Sequence, residues 1–244
     1  MSYKKAATLI LMAAALLTQS CKEDNLLPPV NTNAYFTFIN AAPFLGNDTK
    51  GTTVRALVET NGHTVADELK FYYHSIYPQP NTYLPFTEGD SKITFKDSTR
   101  TTLVTGIVTT QAKNYYSAVL TGSEGDYSAV IVHDNYEPVP DKALVRIMHF
   151  SPDAGEISLY RDTEKQEVLG SLDYKQVTPY TPLAPGSNFS FILRRNDGTS
   201  KRVGRFFVPA ILAGSAYTIL LKGFVDPPDG DIAAKSSQIV FYRN

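Results

Sequence analysis

The sequence predicts an all-β fold: two tandem immunoglobulin-like β-sandwich domains that follow a signal peptide and a short linker. Three observations carry this prediction. The chain holds 15 Tyr and 13 Phe, no Trp, and 43% apolar residues, an inventory that suits pleated, half-buried strands. Beyond the N-terminus no stretch sustains a 3.6-residue apolar period, whereas short alternating runs between Gly, Pro, Asp and Asn clusters recur throughout. Finally, the chain repeats itself, with matching segments in the same order in its two halves.

The elements follow in chain order. Lys4 and Lys5 precede an apolar run over residues 6–17 that is broken only by Thr8, and Thr18-Gln19-Ser20 leads to Cys21. This is the layout of a secretory signal, residues 1–20, and the run is shorter than the roughly 20 residues a bilayer span requires. Cys21 is the only cysteine. The arrangement resembles the bacterial lipobox, with Leu17 and Thr18 departing from its usual aliphatic spacing. The resemblance implies acylation of Cys21 and anchoring to a lipid bilayer. Two or more acyl chains hold such a protein without a protein span. With Cys21 capped, the fold has no disulfide to draw on. Lys22, Glu23 and Asp24 resemble the surface-export signal of Bacteroidota-type lipoproteins, which implies an outer-membrane location facing the exterior. Residues 21–33, with Pro28-Pro29, read as an extended stalk.

The first domain is expected at residues 34–137 and the second at 143–244. The segment Ala34-Tyr35-Phe36-Thr37-Phe38-Ile39-Asn40 and the segment Leu144-Val145-Arg146-Ile147-Met148-His149-Phe150 each alternate and then stop at a small residue before proline. Pro43 and Pro152 lie 109 residues apart, Tyr83 and Tyr180 lie 97 apart, and Tyr116 and Tyr217 lie 101 apart. Glu137-Pro138-Val139-Pro140 between the halves reads as a short, stiff hinge, since proline cannot donate within a central strand. In the second half strands are expected at 144–150, 156–160, 167–172, 189–195, 202–208, 216–222 and 238–243. The Asp197-Gly198 pair between two of these is a hairpin signal. Short strands at this density suggest a sandwich of the immunoglobulin type.

The run Val145-Arg146-Ile147-Met148-His149-Phe150-Ser151-Pro152-Asp153-Ala154, followed by Ile157-Ser158-Leu159-Tyr160, resembles the opening of the family called domain of unknown function 4397. Tyr180, Pro182, Pro185-Gly186 and residues 216–221 fit the rest of its pattern, so the resemblance covers nearly all of 143–225. The first half is more divergent, with Asn40-Ala41-Ala42-Pro43 at the motif position and a longer insertion over residues 47–53. The resemblance implies extracytoplasmic β-sandwich repeats and brings no activity with it.

Candidate chemistry is sparse. His149, Ser151 and Asp153 are hydrolase residue types, but Ser-Pro-Asp-Ala-Gly is also a strand-ending turn in which Asp153 caps backbone donors. The turn is the favoured reading, and no catalytic residue is assigned. His63, His74, His133 and His149 share no metal-ligand spacing, and Asp226, Asp229 and Asp231 read as a solvated turn, so neither metal nor cofactor is expected. Glu124 and Asp126 read the same way. The densest aromatic tract, residues 71–78, places either Tyr72 and His74 or Phe71 and Tyr73 outward; Tyr72, Tyr73 and Tyr77 are the candidate ligand-binding residues for a glycan or protein partner. The formal charge is −1 for the chain and −3 once Lys4 and Lys5 are removed, with no basic stretch, which argues against nucleic acid. The sequence thus reads as a non-enzymatic surface lipoprotein acting as a binding or spacer module. A glycan-binding accessory of an uptake system and an adhesin or fibre subunit are the alternatives.

Overall fold

The computed structural model describes residues 32–43, 45, 53–73, 75–123, 125–162, 166–199, 201–227 and 237–244. Cys21, Lys22, Glu23 and Asp24, with the signal peptide and stalk, lie outside the described residues, as do His74, Glu124, Asp229 and Asp231.

Among the described residues all regular structure is β. In the first half the strands are β1 (Asn33–Asn40), β2 (Val54–Thr60), β3 (His63–Phe71), β4 (Ile76–Tyr77), β5 (Leu84–Thr87), β6 (Gly89–Lys96), β7 (Thr102–Thr110), β8 (Tyr115–Ser123) and β9 (Asp126–His133). The second half supplies β10 (Ala143–Phe150), β11 (Ile157–Arg161), β12 (Gln166–Leu172), β13 (Thr181–Leu183), β14 (Gly186–Arg195), β15 (Arg202–Ile211), β16 (Ala216–Lys222) and β17 (Gln238–Arg243). The seven strands expected for the second half are all present. The additional one, β13, is a three-residue edge strand with Pro182 at its centre, a residue confined to edges because it cannot donate to a ladder.

Two sheets form in each half, and their pairing orders correspond strand for strand. One sheet of the first half runs β4-β1-β8-β9 with β5 also on β1, and the other runs β3-β2-β6-β7. In the second half the orders are β13-β10-β16-β17 and β12-β11-β14-β15. Even the short β1–β4 contact, Ile39 opposite Ile76, has a counterpart in the isolated bridge between Met148 and Val177. Both halves also contain one parallel pair, β1 with β8 and β10 with β16. Immunoglobulin sheets, by contrast, are antiparallel.

Parallel strands are normally covered on both faces, and these are. Ala34, Phe36 and Phe38 of β1 pack with Tyr116, Ala118 and Leu120 of β8 against Val54, Val58, Ile93 and Phe95. The intervening residues Ile39 and Val119 point the other way and pack against Met148, Phe150 and Leu220 of the second half. The remaining face of β10 and β16, from Val145, Ile147, Ile219 and Leu221, covers Ile157, Leu159, Phe191 and Leu193. The result is four stacked β layers with three cores. The central core draws on the same pairing positions from both sides, Ile39 with Met148, Val119 with Leu220, and Val132 with Tyr242. A contact built from one patch used twice is the isologous pattern of two-fold assemblies. Residues Thr32–Asn244 accordingly form one compact unit, held by this core as well as by the proline-containing connection.

Candidate functional site

The site is built where β9 runs out into the connection between the halves. Asp134 still follows β8, its N–H donating to the Tyr115 carbonyl at 2.8 Å. Asn135 then holds the strap sideways: its Oδ1 accepts from the Tyr115 N–H at 2.7 Å and its Nδ2 donates to Asn114 Oδ1 at 2.8 Å. Pro138 and Pro140 prevent further pairing. Clefts open on the flanks of this strap. A larger one, about 750 Å³, is lined by His133, Tyr136, Arg146, Lys175 and Tyr180 among others. A smaller one, about 460 Å³, is lined by Asn81, Tyr83, Tyr115, Asp134, Tyr136 and Asn244 among others. Both volumes fall in the range of small-molecule sites, which favour such junctions between structural units.

Beneath the strap lies a buried ion pair. Arg146 is 1% exposed and Asp134 3% exposed, and Arg146 Nη2 donates to Asp134 Oδ1 at 2.5 Å. The guanidinium is held further by Nε to Thr218 Oγ1 at 2.9 Å and Nη1 to the His133 carbonyl at 3.2 Å, and it lies 4.6 Å from the centre of the Tyr180 ring. The second Asp134 oxygen accepts from Ser117 Oγ at 2.6 Å and from Tyr83 Oη at 3.0 Å. Burial opposes the Arg146 charge, but the Asp134 carboxylate outweighs it, and the net shift is upward. Burial pushes the Tyr180 phenol up to about 12 and, with the Asp134 charge, raises that of Tyr83 as well. These hydroxyls therefore stay protonated donors at neutral pH. Asn244 Nδ2 is a buried polar atom with no hydrogen-bond partner in the structure.

A second buried cation fastens the halves. Lys222 is 1% exposed. Its ammonium donates to the carbonyls of Tyr73 and, at 3.4 Å, Asn40, and it sits 4.3 Å from the centre of the Tyr73 ring. Burial lowers its pKa to about 7.

The aromatic tract singled out in the sequence is divided by the fold. Tyr72 is 41% exposed, whereas Tyr73 is fully buried. Tyr73 is therefore corrected from a ligand-binding candidate to an interior residue: the turn that follows β3 sets it inward, where its carbonyl and ring receive Lys222. Tyr77 is half-buried against the first core, and its carbonyl accepts from Thr37 Oγ1 at 2.9 Å. Among the described residues of the tract Tyr72 is the exposed ring, and the three tyrosines form no common platform. The tyrosines that do converge, Tyr83, Tyr115, Tyr136 and Tyr180, come from separate segments. Tyr83 meets Tyr115 edge-on at 5.0 Å, and Tyr136 tilts against Tyr180 at 5.5 Å.

The His149, Ser151 and Asp153 set is a turn. His149 Nε2 bonds the Gly155 carbonyl at 2.8 Å and Nδ1 accepts from the Ser151 N–H at 3.3 Å, so both ring nitrogens are engaged with backbone. Burial holds the imidazole below its ordinary pKa. The Ser151 hydroxyl points to Asp153 rather than to the ring, and Asp153 caps the N–H groups of Val225 and Asp226 at 2.7 Å each. Asp226 pairs with Lys201 at 3.2 Å. No cluster of three metal-ligating side chains occurs among the described residues.

Fold and site together define an all-β protein of layered sheets with tyrosine-lined clefts at the junction of its halves. The model of the family the motif resembles, Domain of unknown function (DUF4397), matches residues 52–160 of this chain. The match runs from β2 to β11 and shares only residues 143–160 with the stretch over which the resemblance was read. No curated protein matches. Several solved structures are similar, and two of them serve as examples. CBMbc (family CBM26) from Eubacterium rectale Amy13K, in complex with maltoheptaose, is 15% identical, with 84% of this chain and 96% of that chain covered and a TM-score of 0.25. A candidate cell adhesion protein from Bacteroides uniformis is 8% identical, with 89% of this chain and 99% of that chain covered and a TM-score of 0.27. At these identities and TM-scores neither likeness bears on function.

Proposed function

We propose that the protein is a lipid-anchored, extracytoplasmic binding module that presents the clefts beside residues 134–138 on the outside of a bacterial cell. The observation that carries the binding role is the convergence of four tyrosines from separate segments on two clefts at one strap. The anchor and the outward location rest on Cys21 and on Lys22-Glu23-Asp24 in the sequence. Among the residues lining the clefts no serine or threonine hydroxyl is hydrogen-bonded to a histidine or a carboxylate, so binding is favoured over catalysis.

Protease shaving of intact cells tests the location. The native chain is expected to be cleaved from outside, and Cys21→Ala to appear in the soluble fraction. Replacement of Lys22, Glu23 and Asp24 by alanine is expected to leave the chain anchored but protected until the outer membrane is permeabilised. A native chain protected on intact cells would overturn the outward location. The binding role is tested separately by a mixed ligand panel of neutral and acidic oligosaccharides and short peptides, with Tyr136→Ala as the variant because Tyr136 borders both clefts. No saturable ligand, or one indifferent to Tyr136→Ala, would overturn it.

A further inference from the structure

We infer that the free edge of β7 is a pairing surface for a second copy of this chain, which adds its own β7 antiparallel about a two-fold axis at Gly106. The pairing joins the outer sheets of the two first halves into one and stands apart from the clefts and their ligand.

β7 ends its sheet. The order is β3-β2-β6-β7, and among the described residues no strand pairs with β7 on the side away from β6. Alternate N–H and C=O groups of such a strand point outward, a template for another strand. Proteins guard these edges with charges, prolines, bulges or brevity. The other edge strands of the two outer sheets are guarded: β3 carries Asp67, Glu68 and Lys70, β12 carries Glu167, and β15 carries Arg202, Arg205 and Pro209. β7 reads Thr-Leu-Val-Thr-Gly-Ile-Val-Thr-Thr, nine residues with neither charge nor proline. Its one irregularity lies at one end, between the pairings of Val104 and Thr102.

The second half shows the guarded version of the same strand. Gly106 and Gly204 hold the same place in the repeat, each facing the last strand of the neighbouring sheet. A methyl on Gly106 would lie 3.0 Å from Ala129 Cβ, and one on Gly204 would meet Ile239. These close approaches fix which face turns inward. The next residue turns outward: in β15 it is Arg205, paired with Asp162 at 2.6 Å, and in β7 it is Ile107, 77% exposed. Lys92 stands opposite Ile107, but its ammonium is drawn the other way, to Glu59 on β2 at 2.9 Å. Where the second half sets a paired charge, the first sets a bare aliphatic side chain.

The occupant is read from the strand itself. Opposed residues of an antiparallel pair share a face of the sheet, so two copies related by a two-fold meet about a single residue. Gly106 is the middle of Thr102–Thr110, and an axis there pairs the strand over its full length. Gly106 meets its own copy, Ile107 stands opposite Thr105 on the outer face, and Val104 stands opposite Val108 on the inner one. The last two pairings set β-branched residues against each other, and no charge within the strand faces a like charge. A strand that complements itself makes a closed, isologous contact. On a surface-anchored chain, as proposed above, weak pairing suffices, because tethering raises the effective concentration to about the millimolar range.

The test is sedimentation of the full-length chain carrying Cys21→Ala, which is soluble whatever the anchor and contains no other cysteine. A reversible dimer is expected. Ile107→Lys should weaken it about tenfold or more, since the two-fold uses the position twice and each lysine sets a charge on the pairing edge. Phe207→Lys, at an exposed residue of β15, should leave it unchanged. Both side chains point into solvent, and the urea-denaturation midpoint checks that each variant folds. The register is read on the same chain by oxidation: Thr105→Cys and Ile107→Cys together should give a covalent dimer, and either alone much less. A chain monomeric up to about 1 mM, a dimer indifferent to Ile107→Lys, or cross-linking no greater in the double variant would overturn the inference.

Discussion

Arg146→Met is expected to destabilise the protein by about 3–5 kcal/mol, because it strands the Asp134 carboxylate in a site from which water is excluded. Asp134→Asn should cost a similar amount by leaving the guanidinium facing a neutral amide. The double variant should recover much of the loss, since replacing a buried pair by neutral groups of similar volume is often near neutral. The protein itself contains the neutral alternative. In the parallel pair β1–β8, Thr37 stands opposite Ser117, as Arg146 stands opposite Thr218 in β10–β16. Asn244 accepts from Thr218 as Asp134 accepts from Ser117. One polar node thus occurs twice, once with Asp134 and once with Asn244, and the charged pair joins the two across the central interface. A urea-denaturation double-mutant cycle reads this directly. A coupling energy of about 0.5–3 kcal/mol or larger is expected, and costs that simply add would show that the pair does not act as a unit.

How much of this could be read from the chain depends on where the second face of each sheet lies. Alternation and turn chemistry located the strands of the second half to within a few residues, and the offsets between Pro43 and Pro152 or Tyr116 and Tyr217 correspond to matching sheet positions. The alternation of β10 was misleading in one respect. Leu144, Arg146, Met148 and Phe150 occupy one face and Val145 and Ile147 the other, and a strand with an arginine on one side reads as half-solvated. Both faces are buried, because the first half covers the arginine side. The signal was there in weak form: a lone charge amid apolar residues, at Arg146 in β10 and again at Lys222 in β16. The clefts were illegible for a different reason. Tyr83, Tyr115, Tyr136 and Tyr180 are far apart in sequence, each accompanied by ordinary strand or loop residues, and only the central packing brings them together. The tract at 71–78 stands out in the sequence because its aromatics are adjacent, but Phe71 ends β3 and the turn after it sends Tyr72 outward and Tyr73 inward, so adjacency divides these residues rather than gathering them.

Folding stability is expected to rise with pH between about 7 and 9, and Lys222→Met to abolish that slope. The Lys222 ammonium is taken out of water without a carboxylate partner among the described residues; two backbone carbonyls and the Tyr73 ring face it instead. Burial therefore dominates and lowers its pKa from 10.5 to about 7. Below pH 7 the amine is protonated in both folded and unfolded chains, and the cost of burying the charge is borne in full. Above pH 7 the folded chain releases the proton while the unfolded chain keeps it up to 10.5. Stability rises wherever the unfolded state binds more protons, here by up to about 1.4 kcal/mol per pH unit. Removing the amine also leaves the Tyr73 and Asn40 carbonyls without their donor, at about 1–3 kcal/mol, so the absolute stability of Lys222→Met combines opposing effects. The slope does not, because only the titrating group generates it. Urea denaturation at pH 7, 8 and 9 stays below the range in which unfolded tyrosines ionise. A native chain whose stability is flat over that interval would mean that the carbonyls and the ring hold Lys222 charged, making it a permanent cationic clamp between the halves. A slope present in the native chain and absent from Lys222→Met would establish a lysine that is neutral in the folded protein above pH 7, with the halves joined more tightly as the solution becomes more alkaline.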